Sequence, residues 1–150
     1  MCIRDRHYKG QIQFDEVIID ACAMKLVMNP WQFDVLVTTN LFGDILSDEI
    51  AGLVGGLGMA PGANIGKTAA IFEAVHGSAP DIAGKGIANP TALLMAAAMM
   101  LDHVERKDLG DRLRQAINDV LNKDKVRTGD LVGGSTTDQY AKALVARIKG

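Results

Sequence analysis

Between Asp34 and Gly56 a short β-branched apolar run, Asp34-Val35-Leu36-Val37-Thr38, passes directly into NLFGDILSDEIAGLVGG. There Ile45, Leu46, Ile50 and Leu53 recur at helical spacing until Gly55-Gly56 stops the pattern. A run without polar alternation marks a strand buried on both faces, and a strand leading straight into an amphipathic helix belongs to α/β architecture. We therefore expect a strand over 34–38, a helix from Leu41, and an α/β fold in which a β-sheet is flanked by helices. Further along, GLGMAPGANIG reads as a turn-rich passage around Pro61, and Ala69 to Val75 as a second short strand. HGSAPDIAGKGIANP reads as a loop that ends at Asn89, suited to an N-cap, and Pro90, suited to a first helical turn. An apolar helix follows from Thr91, then two amphipathic helices around Leu109 to Leu121 and Asp138 to Ile148, separated by TGDLVGGSTT. No repeat or low-complexity segment divides the 150 residues, so they read as one domain.

Composition narrows the function classes. The net charge is −2 and the basic residues are scattered, which argues against nucleic acid or an anionic membrane as partner. The most apolar stretch, Thr91 to Leu101, falls well short of the roughly 20 residues that cross a bilayer. Cys2 and Cys22 have neither CxxC spacing nor a companion set, so no zinc site or disulfide framework is expected, and a reducing compartment is. The opening MCIRDR lacks the apolar core of a signal peptide and fits poorly with the segment after it, so residues 1–6 read as a truncated or non-native start.

Two groups of residues carry chemistry. Asp44 and Asp48 are four apart, which on a helix stacks both carboxylates on one face a turn apart. Like charges so placed repel unless a cation neutralises them, and all-oxygen donors suit Mg²⁺ or Mn²⁺. The same pair also serves as a solvated acidic helix start, favoured by the helix dipole. Asp20, set between Val17-Ile18-Ile19 and Ala21-Cys22-Ala23, is either a third ligand or a surface position on an amphipathic helix. The second group is the loop. Gly77, Gly84 and Gly86 let backbone N–H groups approach a ligand, while His76, Ser78, Asp81 and Asn89 supply directional contacts. That set suits a nucleotide without being a G-x-G-x-x-G fingerprint, and a structural Ω-loop reads equally well from composition.

Together, NLFGDILSDEIAGLVGGLGMAPGANIG and EAVHGSAPDIAGKGIANP resemble the isocitrate and isopropylmalate dehydrogenase family, and the resemblance runs from about Val17 to the end of the chain. It implies a divalent metal, Mg²⁺ or Mn²⁺, held by Asp44 and Asp48 with an aspartate placed like Asp20 from a neighbouring subunit. The site is then shared across a homodimer or higher oligomer. It also implies that His76, Gly77, Ser78, Ala79 and Asn89 line a nicotinamide-adenine cofactor, with Glu73 near the nicotinamide and Asp130 of RTGD near the adenine.

Asp81-Ile82 stands where NADP-using members carry basic or phenolic residues. A carboxylate accepts hydrogen bonds from ribose hydroxyls and repels a 2′-phosphate, so NAD is expected, and Gly129 in place of a tyrosine points the same way. PGANIG and EAVHGSAPDIAG follow the isocitrate form rather than the PSASLG and EPVHGSAPDIAG of isopropylmalate enzymes. The implied reaction is oxidative decarboxylation of isocitrate, a small 2-hydroxy acid, to 2-oxoglutarate, as in the tricarboxylic acid cycle. Isopropylmalate, homoisocitrate and tartrate or malate relatives are alternatives, and a non-catalytic regulatory subunit is the alternative of another class. The family's catalytic tyrosine and lysine and its substrate-gripping arginines have no counterpart here and are expected upstream, so this reads as an inactive C-terminal fragment by itself. The expected compartment is the cytoplasm, or the mitochondrial matrix in a eukaryote.

Overall fold

The computed structural model describes Tyr8 and residues 10–149. Residues 1–6, read as non-native, lie outside the described residues, as does Cys2. In chain order the elements are α1 (Ile19–Met28), a 3₁₀ turn (Pro30–Gln32), α2 (Asn40–Val54), a 3₁₀ turn (Leu57–Met59), β1 (Pro61–Ile65), β2 (Ala70–Ala74), α3 (Thr91–His103), α4 (Lys107–Asn122), a 3₁₀ turn (Gly129–Leu131) and α5 (Thr137–Lys149). The class is α/β, as the sequence led us to expect. The chain forms two compact units, one ending at Leu46 and one beginning at Ser47.

In the first unit, α1 buries Cys22 and Leu26, four apart and so on one face. Asp20 lies in its first turn, exposed, where a carboxylate complements the helix dipole, and its Oδ1 accepts the Ala21 N–H at 2.6 Å.

The strand expected over 34–38 is absent. Among the described residues the sheet holds only β1 and β2, and Val35 and Val37 are 80% and 93% exposed. A strand exists only through hydrogen bonds to a neighbour. The β-branched composition of 34–38 records the burial it is suited to, and no described segment supplies the partner. The helix after it forms without the strand. α2 ends where the glycine pair predicts: Gly55 and Gly56 adopt φ of 122° and 93°, and the Gly56 N–H donates to Ala51 O at 2.7 Å.

In the second unit, β1 and β2 pair antiparallel, from Pro61 opposite Ala74 to Ile65 opposite Ala70. β1 falls within the passage read as turns. PGANI has weak strand character of its own and is recruited by β2, a tertiary effect that local propensity does not register. On β2, Ala70, Phe72 and Ala74 are half-buried and alternate with exposed Ile71 and Glu73. The sheet packs on α3, and the Phe72 ring centroid lies 5.5 Å from that of His103.

The core gathers Ala116, Ile117, Val120 and Leu121 of α4 with Tyr140 and Leu144 of α5, and Leu94 and Met95 of α3 pack against it. Each Val, Leu, Ile or Met among them contributes roughly 1.5–3 kcal/mol when fully buried. α3 and α4 approach closely at Gly110, where a Cβ would lie 3.1 Å from Ala98 O and 2.5 Å from Asp102 Oδ1. Arg114 pairs with Asp102 across the same crossing. Beyond α4, Arg147 of α5 pairs with Asp124 at 2.5 Å.

α3 begins at Thr91, as expected, but the N-cap position falls on Pro90 rather than Asn89. Asn89 still performs the capping chemistry, since its Oδ1 accepts the Thr91 N–H at 3.0 Å. α5 opens on a capping box in which the Gln139 N–H donates to Thr136 Oγ1 at 3.2 Å and the Thr136 N–H to Gln139 Oε1 at 2.8 Å.

Candidate functional site

Asp44 and Asp48 lie one turn apart on α2, both exposed, and Asn40 Nδ2 donates to Asp44 Oδ2 at 3.1 Å. Asn40 and Asp44 are themselves four apart, so the first turns of α2 present an amide and two carboxylates along one face. The two carboxylates are hard oxygen donors on one helix, and such donors fit Mg²⁺ or Mn²⁺ better than zinc. Among the described residues no group of three or more His, Cys, Asp or Glu converges on a metal-sized site, so Asp20 does not join the pair within one chain.

The loop leaves β2 at Val75 and returns at Pro90. His76, Gly77, Ser78, Ala79 and Asp81 are all exposed, and Ile82 is half-buried. The tip is held by its own backbone: Ile82 N–H donates to Ala79 O at 3.1 Å and Lys85 N–H to Ile82 O at 3.1 Å. Ala79 takes φ of 41°, a left-handed conformation that a non-glycine residue rarely adopts, and Gly84 and Gly86 take 75° and 65°. His76 Nδ1 lies 3.1 Å from Gly77 O. Glu73, on the exposed face of β2, accepts from Asn64 Nδ2 at 3.0 Å, a diagonal cross-strand pair that orients its carboxylate.

Asn89 differs from the rest of the loop because it is buried, at 9% exposure. Its Nδ2 donates to Asp130 Oδ2 at 2.9 Å and approaches Met59 Sδ at 3.7 Å, while Oδ1 caps α3. The other Asp130 oxygen accepts from Thr128 Oγ1 at 2.5 Å, and Thr128 is itself fully buried. Two residues read from separate motifs, Asn89 and Asp130, are thus brought into direct contact. Glu73 lies on β2 and His76 to Asp81 on the loop that follows it, whereas Asp20, Asp44 and Asp48 belong to α1 and α2.

Sequence reasoning missed Asn64, Thr128 and Thr137. Asn64 sits in the strand read as a turn. Thr128 precedes the RTGD glycine and carried no signal beyond being a small polar residue. Thr137 lies in a recognisable capping sequence, but its contact is with Ala88, 49 residues away, where Oγ1 donates to the Ala88 carbonyl at 2.5 Å.

The groups present are of kinds that fit a dinucleotide: an exposed backbone turn with residues at positive φ, an exposed carboxylate acceptor at Asp81, and the buried Asn89 at the loop's end. Among the described residues no helix is long and apolar enough to cross a membrane.

Known proteins resemble this chain closely. The model of the isocitrate/isopropylmalate dehydrogenase family matches residues 3–144. The isocitrate/homoisocitrate dehydrogenase of Thermus thermophilus is 57% identical over 138 residues, covering 92% of this chain and 41% of that protein. Catalytic subunit 5 of the mitochondrial NAD isocitrate dehydrogenase of Arabidopsis thaliana is 54% identical over 135 residues, covering 89% of this chain and 36% of that protein. The crystal structure of isocitrate dehydrogenase from Methylococcus capsulatus aligns with a TM-score of 0.92 at 56% identity, covering 98% of this chain and 44% of that one. The chain spans about two fifths of the length of the relatives it matches. By matched extent, identity and fold, it belongs to the isocitrate/isopropylmalate dehydrogenase family of β-decarboxylating dehydrogenases, whose members act on isocitrate, homoisocitrate or isopropylmalate.

Proposed function

We propose that the protein carrying this chain oxidatively decarboxylates isocitrate to 2-oxoglutarate with NAD and Mg²⁺ or Mn²⁺, and that this chain supplies its dinucleotide loop and two of its metal-binding aspartates. The observation that carries the reading is the loop itself: the HGSAPDIAG turn is exposed, conformationally set by residues at positive φ, and anchored through buried Asn89 to Asp130. A bound NAD supplies a hydride acceptor, and a bound divalent cation supplies polarisation of the substrate oxygens. The residues here bind and orient. Asp81 is placed to accept from ribose hydroxyls and to disfavour a 2′-phosphate, and Glu73 is held by Asn64 near the loop's entry. Asp44 and Asp48 offer one face of carboxylate donors, and an Asp20 from a second copy is proposed to complete the set, so the working unit is at least a dimer. Retention of all three aspartates favours a catalytic over a regulatory subunit. The cytoplasm, or the mitochondrial matrix in a eukaryote, is the compartment proposed.

The C2 hydride would pass to a bound NAD while the hydroxyl proton leaves; loss of the β-carboxylate as CO₂ would leave its electron pair on C3 as an enolate, and uptake of a proton at C3 would give 2-oxoglutarate. NADH absorbance with Mn²⁺ and NAD, followed for isocitrate, homoisocitrate and 3-isopropylmalate in turn, tests the proposal. The highest kcat/KM with isocitrate supports it. A higher value with another of the three transfers the assignment to that substrate, and no NADH from any of them overturns it.

A further inference from the structure

The two arms of the 76–90 loop are held in different ways. The arm from His76 to Lys85 is tied mainly to itself. The arm from Gly86 to Asn89 is tied to the start of α5 and to the turn before it: the Thr137 N–H donates to Gly86 O at 2.8 Å, Thr137 Oγ1 to the Ala88 carbonyl at 2.5 Å, and Asn89 to Asp130. Directly beneath, Thr91 Oγ1 donates to Tyr140 Oη at 2.9 Å with both side chains fully buried. Ala88 to Thr137 and Thr91 to Tyr140 are each 49 residues apart, so the starts of α3 and α5 lie side by side in a constant register.

From this geometry we propose that Thr137 is a positioning residue for the dinucleotide, its hydroxyl holding the returning arm of the loop in the shape that NAD requires. The inference rests on the reading of the loop as the NAD site. Gly86, at φ of 65°, opens that arm, and Gly84, at 75°, lies two residues before it, so the backbone entering the arm has the freedom that glycine allows, and ordering it on binding opposes affinity. Ala88 is exposed, so when the hydroxyl is removed water replaces it at the carbonyl. The bond therefore matters more for loop order than for global stability. α5 keeps its capping box, since Thr136 and Gln139 make it without the Thr137 side chain.

The test compares wild type, Thr137→Val and Thr137→Ser in the protein carrying this chain, reading the NAD dissociation constant by titration calorimetry, amide hydrogen exchange over 84–88, and Tm. Thr137→Val is expected to weaken NAD binding about three- to tenfold, the range of one net hydrogen bond. Exchange at Ile87 and Ala88 should quicken while Tm and protection within α5 stay at the wild-type values, and Thr137→Ser should restore both affinity and protection. Unchanged NAD affinity in Thr137→Val overturns the inference and leaves the cofactor reading standing. So does a loss of affinity that comes with an equal loss of α5 protection, or one that Thr137→Ser fails to restore. A wild-type protein that binds no NAD overturns the cofactor reading of the loop and the role of Thr137 together.

Discussion

Asn89 Nδ2 and Asp130 Oδ2, 41 residues apart in sequence, meet at 2.9 Å, and the contact locks the end of the glycine-rich loop to the turn between α4 and α5. Because the Asn89 amide also caps α3 through Oδ1, one side chain serves the loop, the helix and the turn at once. Asn89→Asp keeps the shape and sets two carboxylates against each other. Thermal melts at pH 7 should show a loss of roughly 1–3 kcal/mol, the cost of leaving a buried hydrogen-bonding group unpaired. Asn89→Asp combined with Asp130→Asn restores a donor facing an acceptor and should recover most of that loss. A double variant no more stable than the single one would show that the contact does not couple the two residues.

Asp44→Asn in the protein carrying this chain should abolish Mn²⁺-dependent turnover and leave Tm close to wild type, because Asn40 Nδ2 retains an acceptor in the new side-chain carbonyl. Calorimetric titration of Mn²⁺ checks the binding directly. Undiminished Mn²⁺ affinity in both Asp44→Asn and Asp48→Asn would remove α2 from the metal site.

The double substitution Asp81→Lys and Ile82→Tyr should move the ratio of kcat/KM for NADP over NAD upward by at least tenfold, since it exchanges repulsion of a 2′-phosphate for a charge-assisted contact. Equal or better kcat/KM with NADP in the wild-type protein would overturn the NAD assignment.

The pH dependence of stability follows from groups away from the site. The Arg114 guanidinium holds Asp102 below the usual carboxylate range, Lys123 does the same for Asp119, and Arg147 for Asp124. A carboxylate lowered by folding contributes stability that is present above its unfolded value of about 3.9 and lost as pH falls through the lower folded value. Melts between pH 5 and pH 2 should therefore show an acid loss that Arg147→Gln makes shallower. At the other extreme, burial raises the Tyr140 phenol. Its contribution is full below about pH 10 and is lost as pH rises through the raised value, so Tyr140→Phe should flatten the alkaline decline.

Gly133 packs its α-carbon against the backbone of Arg127, so a Cβ there would overlap the Arg127 carbonyl. Ser135 N–H donates to that same carbonyl at 2.9 Å, leaving the turn no room to yield. Gly133→Ala should cost about 1–3 kcal/mol, the usual range for overpacking, and Gly134→Ala, with open space around it, should be close to neutral in the same denaturant titration.

The amino-acid sequence by itself determined the features that depend on neighbours a few residues away. The apolar spacing of 109–121 and 138–148 marks α4 and α5 to within a residue or two, and Gly55-Gly56 stops α2 after Val54. Asp44 and Asp48 share a face by helix geometry alone, and the HGSAPDIAGKGIANP loop is legible from its glycines and prolines. Only the tertiary structure decided which segments find partners. The run over 34–38 has the composition of a buried strand and forms none, while PGANI, with little strand character, becomes β1 because β2 lies beside it. The contacts of Asn89 with Asp130 and of Thr137 with Ala88 were equally invisible, since each joins residues more than 40 apart. Helix periodicity and turn chemistry are satisfied within one stretch of chain, whereas a strand or a long-range hydrogen bond exists only when a second stretch arrives to meet it.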